Sequence, residues 1–206
     1  MDVAMPSEIS KRYLYDPIAA DLAQKMVFLS GPRQVGKTTL ALRLVGASDA
    51  RHPAYLSWDD VRARPRIQRG ELPPNEPRVI LDELHKYARW RTLVKGLYDT
   101  RAPGHSFLIT GSARLDVYRR GGDSLHGRYH PYRLHPLSLR EVGGGRDALD
   151  GLLRFGGFPE PFLKRSERHW RRWQRERLDR VVRDDVRDLE RVREISLIEL
   201  LIDALP

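Results

Sequence analysis

Apolar residues in the first two thirds of the chain form short continuous runs that alternate with stretches of helical spacing. Continuous runs bounded by turn-forming or polar residues are typical of buried strands, and they occur at Met26–Leu29, Ala54–Trp58, Val79–Leu81, Phe107–Ile109 and Tyr132–Leu134. Helical spacing occurs in three other segments: Ser10–Gln24, Thr38–Val45 and Trp90–Tyr98. An irregular connection is predicted where prolines cluster: Pro65, Pro73, Pro74 and Pro77. This alternation predicts an α/β domain whose largely parallel sheet is covered on both faces.

The pattern changes after about Leu149, where turn residues give way to a long charged stretch. The cluster Gly156–Pro159 predicts a turn, and a charged helix with an apolar stripe follows it. We interpret the stripe as core packing; its members are Trp170, Trp173, Val181, Val182, Val186, Leu189 and Val192. The apolar segment Ile195–Leu205 resembles the opening of another helical unit. We therefore expect an α/β domain over residues 1–148 and a helical region over residues 149–206.

Composition and charge narrow the class of protein. The 206 residues include 37 Lys and Arg against 28 Asp and Glu, which gives a net charge of +9. This excess is interleaved with acids, so it raises affinity for polyanions without identifying one, and both a nucleic-acid partner and solvated charged faces stay open. The absence of Cys excludes disulfides and thiolate chemistry. Without a membrane span of roughly 20 apolar residues or a secretory signal, we expect a cytoplasmic protein with no membrane partner.

The first chemical motif lies between the first predicted strand and the following helix. Residues 31–38 match G-x-x-x-x-G-K-[ST] at every fixed position, the pattern of a loop whose backbone N–H groups surround phosphates. Lys37 is expected at the β- and γ-phosphates, Thr38 at Mg²⁺ and Thr39 at the α-phosphate. The predicted ligand is therefore ATP with Mg²⁺, bound by Gly31, Pro32, Arg33, Gln34, Val35, Gly36, Lys37, Thr38 and Thr39.

Two adjacent acids follow the third predicted strand. Asp82 is expected to hold Mg²⁺ together with Thr38, and Glu83 to act as general base toward the attacking water. The alternative is that the two acids only cap the next segment. The adjacent Glu83 favours a hydrolase over a metabolite kinase, because many P-loop kinases lack this second acid.

Polar residues at the end of the fourth predicted strand are candidates for sensing the bound nucleotide. Thr110 and Ser112 stand in this position, against the alternative of a plain strand-terminating turn. Arg114 and Arg128 are candidates for the cation that offsets charge on the transferred phosphoryl group, although either could equally be a surface arginine. The predicted catalytic set is Glu83, Lys37, Ser112 and Arg128.

With these motifs the chain resembles the bacterial and archaeal AAA+-type ATPases that carry a C-terminal domain of unknown function, DUF4143. The resemblance runs nearly end to end and rests on Arg12–Leu14, Gly31–Thr39, Trp58–Asp60, Leu81–Lys86, Lys95–Asp99, Thr110–Asp116, Gly121–Leu125, Gly127–Tyr129, Pro136–Leu139 and Gly156–Glu160. It implies a P-loop NTPase sheet of order 5-1-4-3-2, a sensor at Thr110–Ser112, and a nucleotide-facing or inter-subunit role for Arg128. The region after Gly156 resembles the family's lid and the start of its winged-helix unit.

The resemblance also implies an activity and leaves alternatives. We expect Mg²⁺-dependent ATP hydrolysis coupled to a conformational change, with ATP and ADP as ligands. The alternatives are a nucleotide-dependent switch with little turnover and a DNA-associated regulator, and a DNA or protein partner stays open. AAA+ relatives often form rings, whereas a shortened chain could be monomeric, so a homo-oligomer also stays open. The DUF4143 portion is missing here, which indicates either a truncated chain or a naturally shortened protein.

Overall fold

The chain divides into two compact units. The computed structural model describes residues 11–111 and 125–181. The first unit comprises Met1–Gly144 and the second Gly145–Pro206. The division falls four residues before the predicted boundary, because one helix, Gly145–Phe155, continues across Leu149. Gly143, Gly144 and Gly145 all have φ between 71° and 90°, so three successive left-handed residues separate the two units.

The first unit is built on a five-stranded parallel sheet. Its strands are β1 (Met26–Ser30), β2 (Tyr55–Ser57), β3 (Arg78–Asp82), β4 (Ser106–Thr110) and β5 (Tyr129–Arg133). They lie in the order β2-β3-β4-β1-β5, with every neighbouring pair parallel. The predicted order 5-1-4-3-2 and the α/β class are therefore confirmed.

Every residue of β1 and β4 is buried, which explains why both read as uninterrupted apolar runs in the sequence. On one face Phe28 stacks on Tyr129, with ring centroids 4.2 Å apart, and packs against Trp90 at 5.7 Å. Since all strands are parallel, β1, β3 and β4 end at one level, which we call the carboxyl end of the sheet. The opposite level is its amino end.

Helices cover the sheet: α1 (Tyr15–Asp21), α2 (Lys37–Leu44), α3 (Ala63–Arg69) and α4 (Trp90–Asp99). Helix α1 is shorter than predicted because Pro17 has no N–H to continue a helix back toward Tyr13. Helix α3 lies where an irregular connection was predicted. Pro65 stands in its first turn, where the missing N–H has no intrahelical partner to lose.

The second unit begins with three helices: α5 (Gly145–Phe155), α6 (Pro159–Lys164) and α7 (Glu167–Arg180). The single long helix that was predicted is divided in two at Arg165 and Ser166. Arg165 adopts the left-handed region, and the hydroxyl of Ser166 caps α7. Trp173 of the predicted stripe is buried against Phe158, at 5.0 Å between rings. Four predicted stripe residues lie outside the described residues: Val182, Val186, Leu189 and Val192. The assignment of this unit to a lid and winged-helix start stays a prediction.

Within residues 11–111 and 125–181, no helix combines the length and apolar character required to cross a membrane.

Candidate functional site

A tight loop joins β1 to α2 at the carboxyl end of the sheet. Gly31 follows the strand with φ of 147°, and Gly36 precedes the helix with φ of 95°, so both occupy regions that glycine adopts most readily. A Cβ on Gly31 would lie 2.5 Å from the carbonyl oxygen of Leu134, so the backbone segment that follows β5 leaves no space for a side chain at Gly31. The two fixed glycines are therefore explained by backbone geometry and close approach.

Lys37 begins α2 and turns its side chain back over the loop. Its Nζ donates hydrogen bonds to the carbonyl oxygens of Gly31, at 2.9 Å, and Pro32, at 2.8 Å. The residue is only 8% exposed. The N-terminus of α2 contributes the positive end of the helix dipole and N–H groups without intrahelical partners. A cation, a helix N-terminus and a curled backbone thus meet at one place, an arrangement suited to binding an anion.

Asp82 ends β3 beside this loop and is 5% exposed. The hydroxyl of Thr38 donates to its Oδ2 at 3.1 Å, and that of Tyr55 donates to the same oxygen at 2.5 Å. The hydroxyl of Thr110, at the end of β4, donates to Oδ1. The buried carboxylate is therefore hydrogen-bonded on both oxygens, as a charge removed from water requires. Burial, and then the hydrogen bond to Asp82, raise the pKa of Tyr55 far above its ordinary value.

Glu83 follows Asp82 in the left-handed region, with φ of 55°. Its N–H donates to the carbonyl oxygen of Thr110 at 3.1 Å, which joins the ends of β3 and β4. Its carboxylate lies 3.3 Å from Lys86 Nζ and 3.8 Å from His85 Nε2. Lys86 also contacts Asp59 at 2.6 Å. Partial burial lowers the pKa of Lys86, but the hydrogen bond to Asp59 and the charge of Glu83 outweigh it, so the net shift is upward.

The structure brings most of the predicted site residues to the carboxyl end of the sheet. These are the loop residues 31–36, with Lys37, Thr38, Asp82, Glu83 and Thr110. Thr39 is exposed on the first turn of α2. Ser112 and Arg114 lie outside the described residues, so their sensor and cation roles stay predictions. Sequence reasoning missed Tyr55, because only the adjacency of β2 and β3 brings its hydroxyl to Asp82.

Arg128 lies at the other end of the sheet. Its carbonyl oxygen accepts a hydrogen bond from the N–H of Met26, the first residue of β1, at 3.1 Å. At about 3.3 Å per residue, the four steps from Tyr129 to Arg133 span about 13 Å between this point and the level of the loop. The guanidinium pairs with Asp99 instead, at 2.8 and 3.2 Å, which lowers the pKa of Asp99. Within its own chain Arg128 therefore lies away from the loop, and the nucleotide-facing or inter-subunit role implied for it stays a prediction.

Comparison with known proteins divides the chain where the structure does. Residues 23–143 match the model of a family described as an AAA domain, and residues 146–206 match a domain of unknown function, DUF8612. The narrower resemblance to DUF4143-containing ATPases stays a prediction.

Similar proteins are found in bacteria and archaea. The uncharacterized proteins Rv2008c of Mycobacterium tuberculosis and Mb2031c of Mycobacterium bovis are each 35% identical over 156 residues, covering 72% of this chain and 33% of the relative. The uncharacterized protein MJ1544 of Methanocaldococcus jannaschii is 24% identical over 206 residues, covering 87% and 46%. The chain thus matches less than half the length of these relatives. Among solved structures, AMPPCP-bound DnaA from Aquifex aeolicus aligns with a TM-score of 0.47 at 14% identity, covering 74% of this chain and 57% of that one.

Proposed function

This chain belongs to the AAA domain family, and we propose that it binds ATP with Mg²⁺ and hydrolyses the γ-phosphate. The observation that carries the proposal is the hydrogen bond of 3.1 Å between Thr38 Oγ1 and Asp82 Oδ2. This bond joins the first turn of α2 to Asp82 at the end of β3, across 44 residues of sequence. Phosphate-binding and acidic groups are thereby brought together.

The loop residues supply the phosphate site. Backbone N–H groups over residues 33–38 and the N-terminus of α2 bind phosphate oxygens, and Lys37 adds a point charge. Lys37 now donates to loop carbonyls, so it exchanges those neutral acceptors for charged phosphate oxygens when the ligand enters. The ammonium is charged in both arrangements, and the added attraction between opposite charges favours the phosphate oxygens.

The Thr38 hydroxyl and the Asp82 carboxylate fit Mg²⁺, which prefers oxygen ligands and is commonly held by one or two protein groups together with substrate phosphates. When bound, Mg²⁺ neutralises charge that develops on the β- and γ-oxygens. Tyr55 and Thr110 hold the two oxygens of Asp82 in a fixed orientation, so the carboxylate is positioned before the ligand arrives.

Glu83 is proposed as the general base that accepts a proton from the attacking water. In this structure the Glu83 carboxylate contacts Lys86, which also contacts Asp59. Glu83 must therefore leave this ion pair before it can act as the base. The same contact favours a second candidate function, a nucleotide-dependent switch with slow turnover. Sensing by Ser112, homo-oligomer formation and a DNA or protein partner remain parts of the proposal that rest on the sequence.

Calorimetry with Mg·ATP, followed by steady-state phosphate release with and without duplex DNA, tests the proposal. We expect binding in the wild type and its loss in Lys37→Ala, with an unchanged fold by circular dichroism. Lys25→Ala, which removes a lysine outside the loop, is the matched control. Turnover independent of DNA supports the ATPase, and binding with near-zero turnover supports the switch. Stimulation by DNA that falls with salt supports the regulator, and a wild type that binds no Mg·ATP overturns the proposal.

A further inference from the structure

A buried arginine contacts the backbone of the phosphate loop. Arg12 precedes α1, is 7% exposed, and its Nη1 donates to the carbonyl oxygen of Val35 at 2.8 Å. Its Nη2 donates to the carbonyl oxygen of His135 at 2.5 Å, just beyond β5. Its Nε donates to Glu141 Oε1 at 2.7 Å. One planar guanidinium thus joins the loop to two segments that lie 123 and 129 residues after Arg12 in the sequence.

Glu141 is fixed as firmly as the arginine. Its Oε1 also accepts from the backbone N–H of Tyr13 at 3.1 Å, and its Oε2 accepts from the N–H and the hydroxyl of Ser138, at 3.0 and 2.9 Å. Burial raises the pKa of Glu141, but the hydrogen bonds from Arg12, Ser138 and Tyr13 outweigh it and lower the pKa overall. The carboxylate is therefore held charged, and it holds Arg12 in a single orientation.

The contact with Val35 fixes the direction of one peptide group. In a planar trans peptide, the C=O of Val35 and the N–H of Gly36 point in opposite directions. Because the C=O points at Arg12, the N–H of Gly36 points away from it. The side chain of Val35 is fully buried, so the loop residue cannot rotate freely to another arrangement. The left-handed φ of Gly36 then leads directly into Lys37 and the first turn of α2.

We infer that the Arg12–Glu141 pair is a positioning device for nucleotide binding, which presents the Gly36 N–H to the phosphates before the ligand arrives. The inference rests on the proposed binding of Mg·ATP. A buried ion pair gives little stability over apolar packing, because desolvation offsets its attraction. Its directional bonds to backbone carbonyls, however, are something that apolar packing cannot supply. Preorganising a binding loop in this way raises affinity by removing the entropic cost of ordering it.

The test compares two arginines that each donate to a backbone carbonyl. Arg12→Gln removes the contact with the loop. The matched control is Arg78→Gln, because Arg78 donates to the carbonyl oxygen of Leu44 at 3.2 Å, at the opposite end of α2. We expect Arg12→Gln to raise the Kd for Mg·ADP and Mg·ATPγS about tenfold or more, the scale of one charged hydrogen bond, and Arg78→Gln to leave it within about twofold.

A second readout reports the peptide itself. In ¹H–¹⁵N spectra, Mg·ADP should shift the Gly36 amide proton of the wild type downfield, since a hydrogen bond to an anion deshields it. Arg12→Gln should lose this shift at saturating nucleotide, while Arg78→Gln keeps it. A loss of stability alone would lower the folded fraction but would leave the shift intact in the molecules that stay folded.

Arg12→Lys decides the matter if Arg12→Gln does not fold. Lysine keeps the charge beside Glu141 but cannot serve three acceptors with a planar fork, so the Gly36 shift should decrease with the fold preserved. Wild-type affinity and a wild-type Gly36 shift in a folded Arg12 variant would overturn the inference and leave the proposed function standing. A wild type that binds no nucleotide would instead refute the proposed function, and this inference with it.

Discussion

The two ends of the central sheet each carry an arginine–carboxylate pair, and the surroundings of the two pairs differ. At the carboxyl end, the side chains of Arg12 and Glu141 are 7% and 4% exposed, and backbone groups and the Ser138 hydroxyl take up their remaining bonds. At the amino end, the side chains of Arg128 and Asp99 are 30% and 41% exposed. Water screens the second pair, while the first fixes backbone groups beside the phosphate loop. The same chemistry therefore positions a site at one end and offsets surface charge at the other.

The carboxyl end also brings several segments of the chain into close contact. Gly31 touches the backbone of Leu134, and Asp82 accepts from hydroxyls on α2, β2 and β4. Since these contacts hold the phosphate loop and Asp82 in place, substitutions here should strongly change the binding and hydrolysis of the nucleotide. Substitutions at the amino end should change them little.

The largest effect is expected at Glu83. Glu83→Gln should leave the Kd for Mg·ATP near the wild-type value while lowering the rate of phosphate release by roughly 10²- to 10⁴-fold, the usual contribution of a positioned base. Single-turnover phosphate release measures the rate, and Glu71→Gln is the control, because Glu71 lies on the surface beside Arg69. Unchanged release in Glu83→Gln would remove Glu83 from the role of base.

Gly31 offers a steric test of the same region. Gly31→Ala should destabilise the protein by about 2–4 kcal/mol. The new Cβ would meet a backbone oxygen, and the φ of 147° at this position is one that alanine rarely adopts. Gly46→Ala, at φ of 73° with nothing within 4 Å, should cost only the conformational part, about 1–2 kcal/mol. Urea unfolding gives both values. Equal losses in the two variants would show that the approach of Leu134 does not constrain the loop.

The parts of the site that are formed by residues adjacent in the sequence could be predicted from the sequence. The loop and the acid pair are local patterns that follow apolar runs, and parallel strands bring such ends together. Arg12 and Glu141 could not be paired, because 129 positions separate them and only the fold brings them together. The start of β5 was predicted three residues too late. The predicted strand Tyr132–Leu134 overlaps β5 but omits its first three residues, which include Pro131; β5 lies at the edge of the sheet, where a residue without an N–H is tolerated.

The pH dependence of stability should come partly from the buried pair. The pKa of Glu141 in the folded protein lies below its ordinary value of 4.5, so the pair stabilises the fold fully above that pH. This contribution is lost as the pH falls from 4.5 through the folded pKa, because the unfolded chain takes up the proton first. Unfolding free energies measured between pH 6 and pH 3 should therefore fall less steeply in Glu141→Gln than in the wild type. Parallel curves would show that another carboxylate dominates.

The smallest effect is expected at the amino end. Arg128→Gln should leave nucleotide affinity and turnover within about twofold of wild type in dilute protein, because its contact with Asp99 is exposed and lies far from the loop. An inter-subunit role would alter this result in a recognisable way. Turnover of the wild type would then rise with protein concentration, and that rise would vanish in Arg128→Gln.

Mixing two variants separates these outcomes. If Arg128 acts on a neighbouring subunit, Arg128→Gln and Glu83→Gln are each impaired alone, but a mixture regains turnover because one chain supplies the arginine and the other the base. If Arg128 only offsets charge at the amino end, the mixture shows the average of the two separate rates. The contrast between the two ends of the sheet holds for a single chain in both cases, but regained turnover would show that assembly brings an amino end against a neighbour's carboxyl end.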